Sequence, residues 1–302
     1  VTGGNINTRD ELTLLICHAG TLGDFILTWP ALRGIKQQYP QYKLIAVGRM
    51  HLLNLAVKYG LLDEGFDLES RQMLDFFQGD KIPAILGRPA GAILWLKNAD
   101  KITKLLIPVC PRPVVCIEPF PSTRTHLASY YCSELQRYYS VPNPVNILDL
   151  LPEPEKYKGE DRYAVVHPGS GSPSKNFRAD FYLQLGTLLQ SYGFKKVYYV
   201  LGTAESADLD KCFPAAAIVR PQDLLELSEW LARAGFFTGN DSGVSHLAGF
   251  LGVPAVVFYR TTDPAVWGVL GKRVWHIQTD EAGAAKRLFT DRLEKFIIKK
   301  FV

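Results

Sequence analysis

The 302-residue sequence carries little that would commit it to a disulfide framework, a metal centre or a bilayer. Its five cysteines, Cys17, Cys110, Cys116, Cys132 and Cys212, are odd in number, contain no C-x-x-C pair and sit mostly in apolar runs such as LLICH and VVCIE. Buried thiols in a reducing cytosol are the expectation. None of the six histidines shares a ligand-like spacing with another His or a Cys pair, so no metal is expected. No apolar run reaches the roughly 18 residues that a spanning helix needs. The opening VTGGNINTRDELTLLIC also lacks the basic, apolar, small-residue order of a signal peptide. These absences predict a cytoplasmic protein. The net charge of +4 is mild and includes no basic tail, which argues against a nucleic-acid partner.

Two common nucleotide signatures are missing as well. G-x-x-x-x-G-K-[ST] does not occur, which excludes a Walker A loop. The early loop HAGTLGD lacks G-x-G-x-x-G, and the second strand candidate ends in Gly48-Arg49 rather than in an acid for a ribose, which argues against a dinucleotide oxidoreductase.

What the chain does have is alternation. Short apolar runs bounded by turn signals alternate with helical periodicity, the pattern of parallel sheets covered by helices. The first half offers strands at Leu12–Cys17, Lys43–Gly48, Gly65–Leu68, Ala92–Leu96 and Val114–Ile117, with helices around 25–38, 49–59, 70–78 and 125–139. The pattern breaks over residues 141–162, which hold four prolines and mixed charge. It restarts with strands at Tyr163–His167, Val197–Leu201, Ala216–Val219, Gly235–Thr238, Ala255–Tyr259 and Val274–Ile277. Helices are expected at Ala179–Tyr192, Ala204–Lys211, Gln222–Ala234, Ser242–Leu251 and Ala284–Phe301. The fold class is therefore α/β, with two Rossmann-like, doubly wound domains at 1–145 and 163–302 joined by a linker at 146–162 and facing each other across a cleft. The last helix, 284–302, carries a stripe of Phe289, Leu293, Phe296 and Ile297. That stripe suits packing on its own domain, packing back on the first, or contact with an anionic membrane surface.

Ligands of such domains bind beyond the carboxyl ends of the strands, so the loops there are the candidates. HPGSGSPSKNF, residues 167–177, offers backbone N–H groups, the hydroxyl of Ser170, the bare backbone of Gly171 and the cation of Lys175 to phosphate oxygens. It could equally be an ordinary strand-to-helix turn. TGNDSGVSHLAGFLGVP, residues 238–254, puts Asp241 where it could accept from sugar hydroxyls and Ser242 and Gly243 at a helix start. Its alternative is simple N-capping by Asp241 or Ser242, with His246 a satisfied, partly buried histidine. YRTTDPAVWG, residues 259–268, adds Thr261, Thr262 and Asp263 on the same rim. Three such rims in one domain point to a nucleoside diphosphate more strongly than one does. In the first domain, Asp24 of GTLGDFILTWPAL is either an N-cap for the helix beginning near Phe25 or a general base. Residues 81–137 carry eight basic side chains against three acidic ones, either a solvated face or a footprint for an anionic partner.

These loops together resemble glycosyltransferase family 9, the heptosyltransferases of the bacterial lipopolysaccharide inner core. LGDFILTWPALRGIK, residues 22–36, is similar to the family's G-D-x-x-x-T-x-P-A-L signature, and HPGSGSPSKNF to its donor-phosphate loop ending in Lys. GNDSGVSHLAGFLGVP is similar to its D-[ST]-G-x-x-H-x-A-x-x-x-G-x-P block, and Thr262-Asp263-Pro264 completes the set. Three positions depart from the pattern. His18 stands where Arg is common, Tyr259 to Pro264 reads YRTTDP where FGPTDP is usual, and Phe177-Arg178 replaces Trp-Pro.

The resemblance implies a GT-B fold and inverting transfer of a heptose or related sugar from an ADP-linked donor, with no metal and no cofactor beyond the nucleotide sugar. It implies that the C-terminal domain holds the donor and the N-terminal domain an anionic glycolipid acceptor at the inner membrane. Carried over by position, Asp24 becomes the base, Lys175 the donor-phosphate contact, Asp241 the sugar contact, and Ser170, Gly171, Ser242, Gly243 and Thr262 further donor contacts. Arg124 and His126, in PSTRTHLASYY, are the expected acceptor-side residues. The rival readings are a sugar-nucleotide epimerase or another transferase on the same fold, and a non-catalytic nucleotide-sugar binder.

Overall fold

The computed structural model describes residues 12–122, 124–141, 147–152, 163–202 and 207–301, the side chains of 207, 208 and 296–301 excepted. The chain forms two compact units. One comprises Val1–Gly20, Thr28–Ser122 and Tyr130–Asn143; the other comprises Thr21–Leu27, Thr123–Ser129 and Pro144–Val302. This division differs from a single cut in the linker, because two short segments of the first half cluster with the second unit. Asp24, Arg124 and His126 all lie in those segments. Of the expected linker, residues 147–150 form a 3-10 turn, while 142–146 and 153–162 lie outside the described residues.

The first unit is built on a five-stranded parallel sheet. Its strands are β1 (Leu12–His18), β2 (Tyr42–Gly48), β3 (Glu64–Asp67), β4 (Gly91–Trp95) and β5 (Val114–Cys116), in the order β3-β2-β1-β4-β5. β1, β2 and β4 are buried nearly end to end, as expected for strands covered on both faces. Helices α1 (Leu22–Gln38), α2 (Met50–Lys58), α3 (Arg71–Gln78), α4 (Asp100–Leu106) and α5 (Leu127–Gln136) connect or follow the strands. α4 has no counterpart among the sequence-predicted helices. It is two turns long, starts after Ala99 without a side-chain cap and stops before Pro108, so its periodic signal is short.

The second unit carries a six-stranded parallel sheet of β6 (Ala164–His167), β7 (Val197–Val200), β8 (Ile218–Val219), β9 (Phe236–Asn240), β10 (Ala255–Tyr259) and β11 (Val274–Gln278). The order is β11-β10-β9-β6-β7-β8. Its helices are α6 (Ala179–Ser191), α7 (Ala207–Asp210), α8 (Leu224–Arg233), α9 (Gly243–Phe250), α10 (Pro264–Trp267) and α11 (Ala282–Phe301). All eleven strands occur where the alternation puts them, with ends shifted by a residue or two. β9 runs two residues past its expected end, so Gly239 and Asn240 are strand. The C-terminal helix packs on its own sheet: Phe289 and Leu293 enter the core with Phe236, Val256 and Phe258. Among the described residues no helix is long and apolar enough to cross a membrane.

The thiol expectation needs correcting. Cys17 and Cys132 are buried, and burial raises both thiol pKa values, Cys132 to about 12. Cys110 is only half-buried, and Cys116 and Cys212 are exposed, because β5 is an edge strand and Cys212 lies in a turn.

Candidate active site

Three loops of the second unit converge on one carboxylate. β9 ends at Asn240, and the next residue, Asp241, donates its backbone N–H to the Phe258 carbonyl of β10 at 2.9 Å. Its side chain is then held on three sides. Oδ2 accepts from Lys175 Nζ at 2.7 Å and from Thr262 Oγ1 at 2.7 Å, and Oδ1 lies 3.6 Å from His246 Nε2, just beyond hydrogen-bond distance. Lys175 comes from the loop after β6, Thr262 from the loop after β10 and His246 from α9. The carboxylate is only 6% exposed. Burial pushes its pKa up, but His246 and Lys175 together outweigh burial and hold it well below the usual carboxylate range.

A pH dependence follows. A carboxyl whose folded pKa is depressed contributes stability that is present above its unfolded value, about 3.9, and is lost as pH falls through the folded one. The melting temperature of wild type should exceed that of Asp241→Asn above about pH 5, and the gap should narrow below about pH 4. A gap that stays constant across a thermal-melt pH series contradicts the ion-pair assignment.

The loop that presents Lys175 is held from below by Asn240. This buried side chain donates through Nδ2 to the Pro168 carbonyl at 2.9 Å and to Asn176 Oδ1 at 3.0 Å, and accepts from Tyr182 Oη at 2.7 Å. Tyr182 Oη in turn accepts the Phe177 N–H at 3.0 Å. Ser170 Oγ lies 2.7 Å from both Asn176 Oδ1 and the Ser172 carbonyl, so its hydroxyl is engaged inside the loop. Gly171 is exposed, with nothing within 4 Å of where a Cβ would sit.

Ser242 is the N-cap of α9, its Oγ accepting the Ser245 N–H at 3.3 Å. The capping alternative therefore holds for this residue. The helix start leaves the N–H groups of Gly243 and Val244 without intrahelical partners, the usual condition of a first turn. Gly243 is required by close approach: a Cβ there would lie 2.7 Å from Leu22 Cβ. His246 is more fully buried than expected and is not fully satisfied, since among the described residues its Nδ1 has no hydrogen-bond partner.

Leu22 opens α1, two residues before Asp24. Asp24 Oδ2 accepts both the Thr21 N–H at 2.9 Å and the Thr21 hydroxyl at 2.8 Å, while the Thr21 carbonyl accepts the Phe25 N–H at 3.0 Å. Asp24 is therefore the third helical residue reaching back to the cap, as in a capping box. Capping occupies one oxygen; Oδ1 has no hydrogen bond among the described residues. A Cβ on Gly23 would lie 3.2 Å from His246 Cδ2, which puts the first turn of α1 against α9 within the second unit.

Arg124 and His126 are also tied into the second unit. Arg124 Nε donates to Asp263 Oδ2 at 2.9 Å, although the arginine side chain is 83% exposed. His126 Nδ1 accepts the Ala128 N–H at 3.3 Å, which assigns the proton to Nε2, and Nε2 donates to the Gly268 carbonyl at 2.8 Å. Burial lowers the His126 pKa. The basic stretch is partly neutralised, since Lys81 pairs with Asp75 and Arg137 with Glu134.

Sequence reasoning did not single out Asn240, Asn176 or Arg260 as site residues. The available signal for Asn240 was a polar residue directly after Gly239 at the end of an apolar strand, where a buried amide must find partners.

The glycosyltransferase family 9 (heptosyltransferase) profile matches residues 133–297, more than half of the chain. The chain belongs to this family and is a glycosyltransferase. No curated protein matches the sequence. Solved structures with the same fold include a family 9 glycosyl transferase from Veillonella parvula, at TM-score 0.72 and 17% identity over 93% of this chain and 90% of that one. E. coli heptosyltransferase WaaC with ADP matches at TM-score 0.71 and 17% identity over 93% of this chain and all of that one. E. coli ADP-heptose lipopolysaccharide heptosyltransferase II matches at TM-score 0.71 and 13% identity over 96% of this chain and all of that one. The fold is thus that of the GT-B heptosyltransferases.

Proposed function

We propose that this glycosyltransferase moves a heptose or closely related sugar from an ADP-linked donor to a lipopolysaccharide inner-core acceptor, with inversion at the anomeric carbon. The observation that carries the reading is the convergence of Lys175, Thr262 and His246 on Asp241, which gathers a cation, a hydroxyl and a buried carboxylate beside the open end of a helix. The WaaC relative with bound ADP supports the choice of nucleotide.

In a direct displacement the acceptor oxygen loses a proton while the nucleoside diphosphate departs with negative charge. Lys175 and the first N–H groups of α9 meet the departing phosphates, so the charge falls on preorganised donors and no metal is called on. Gly171 keeps side-chain bulk away from the phosphate loop, and Ser170 fixes its shape. Asp241 accepts from the donor sugar's hydroxyls, with Thr262 holding the carboxylate in place. Asp24 takes the acceptor proton on Oδ1, the oxygen that capping leaves open. Arg124 and His126 line the approach of an anionic acceptor, and the protein works on the cytoplasmic face of the inner membrane in peripheral contact with it.

A panel of nucleotide sugars scored by thermal stabilisation tests the donor assignment, because a ligand that binds only the folded state raises its stability. ADP-heptose should give the largest shift. A larger shift with a UDP- or GDP-linked sugar overturns the ADP assignment.

A further inference from the structure

Arg260 follows β10 directly and stands where family 9 loops usually carry glycine. Its guanidinium carbon lies 5.1 Å over the Phe177 ring, and its Nη1 donates to the carbonyl of Ser174 at 3.3 Å and to that of Asn176. Those two carbonyls flank Lys175. The 3-10 turn that carries Lys175, Pro173–Lys175, is three residues long, and its own bonds are Lys175 N–H to the Ser172 carbonyl at 3.0 Å and Asn176 N–H to the Pro173 carbonyl at 3.1 Å. A turn this short does not hold itself. Among the described residues no carboxylate pairs with Arg260, and its Nε is buried without an acceptor.

We propose that Arg260 is a positioning residue for the donor diphosphate: by bridging the carbonyls on either side of Lys175 it aims the Lys175 ammonium. This rests on the donor reading above. A planar guanidinium over an aromatic ring, donating to two carbonyls, fits this task in a way that the point charge of lysine does not.

The test is a double-mutant cycle read by isothermal titration calorimetry with ADP on wild type, Arg260→Met, Lys175→Met and the double variant, with Arg260→Lys alongside. Arg260→Met should weaken ADP about tenfold, the usual cost of a lost charged hydrogen bond. In the Lys175→Met background the same change should cost no more than about twofold, because a residue acting through Lys175 has nothing left to aim. Arg260→Lys, which keeps the charge, should recover part of the loss. If Arg260→Met fails to fold, Arg260→Lys replaces it in the cycle. Equal losses in both backgrounds, or no loss in either, overturn the inference while leaving the donor reading intact. Failure of wild type to bind ADP overturns both.

Discussion

Asp24→Asn should keep the fold and leave affinity for the nucleotide sugar within a few fold of wild type, and should lose about a hundred- to ten-thousand-fold in transfer, the range associated with a general base. The asparagine carbonyl oxygen can still accept the N–H and hydroxyl of Thr21, so the cap survives, whereas the amide cannot take up a proton. Asp24→Ala removes both functions and should also cost about 1 kcal/mol of stability, as loss of a helix cap does. The pair of variants separates the two roles of one carboxylate. Near-wild-type turnover in Asp24→Asn, read with a coupled assay for released nucleoside diphosphate, would leave Asp24 a cap and nothing more.

Lys175→Met carries the second large effect. It removes the cation 2.7 Å from a carboxylate that is only 6% exposed, while Lys175 itself is 27% exposed. Removing one partner of a buried pair leaves the other charge uncompensated, at a cost of about 3–5 kcal/mol. Thr262 and His246 still face Asp241, so a fall at the lower end of that range is expected. Donor binding should weaken at least about tenfold, since a charged contact to phosphate is lost with it. Chemical denaturation and donor titration on the same sample read both effects. A variant that loses stability but binds donor normally would make the Lys175–Asp241 pair a structural tie.

The alternation of apolar runs and helical periods was enough to place both sheets, because strands buried on two faces read as continuous apolar stretches whatever their neighbours are. The three loops of the second unit were legible for a related reason: glycine, serine and aspartate cluster where a strand gives way to a helix start. Side-chain direction was not legible. Ser170 looked like a phosphate ligand and turns inward to Asn176, Ser242 proved to be a cap, and Asn240 was hidden in what read as the loop after a strand. Arg260 registered only as a departure from a family pattern, since a guanidinium reaching back to Ser174 and Asn176 depends on contacts across the fold. Asp24 could not be resolved between capping and catalysis because its two oxygens are differently engaged.

The most direct test of sugar transfer is mass spectrometry and NMR of the products formed from ADP-heptose and a truncated lipopolysaccharide core. The expected product is a new glycoside of inverted anomeric configuration with one equivalent of released ADP. A rearranged nucleotide sugar with no ADP released would contradict it.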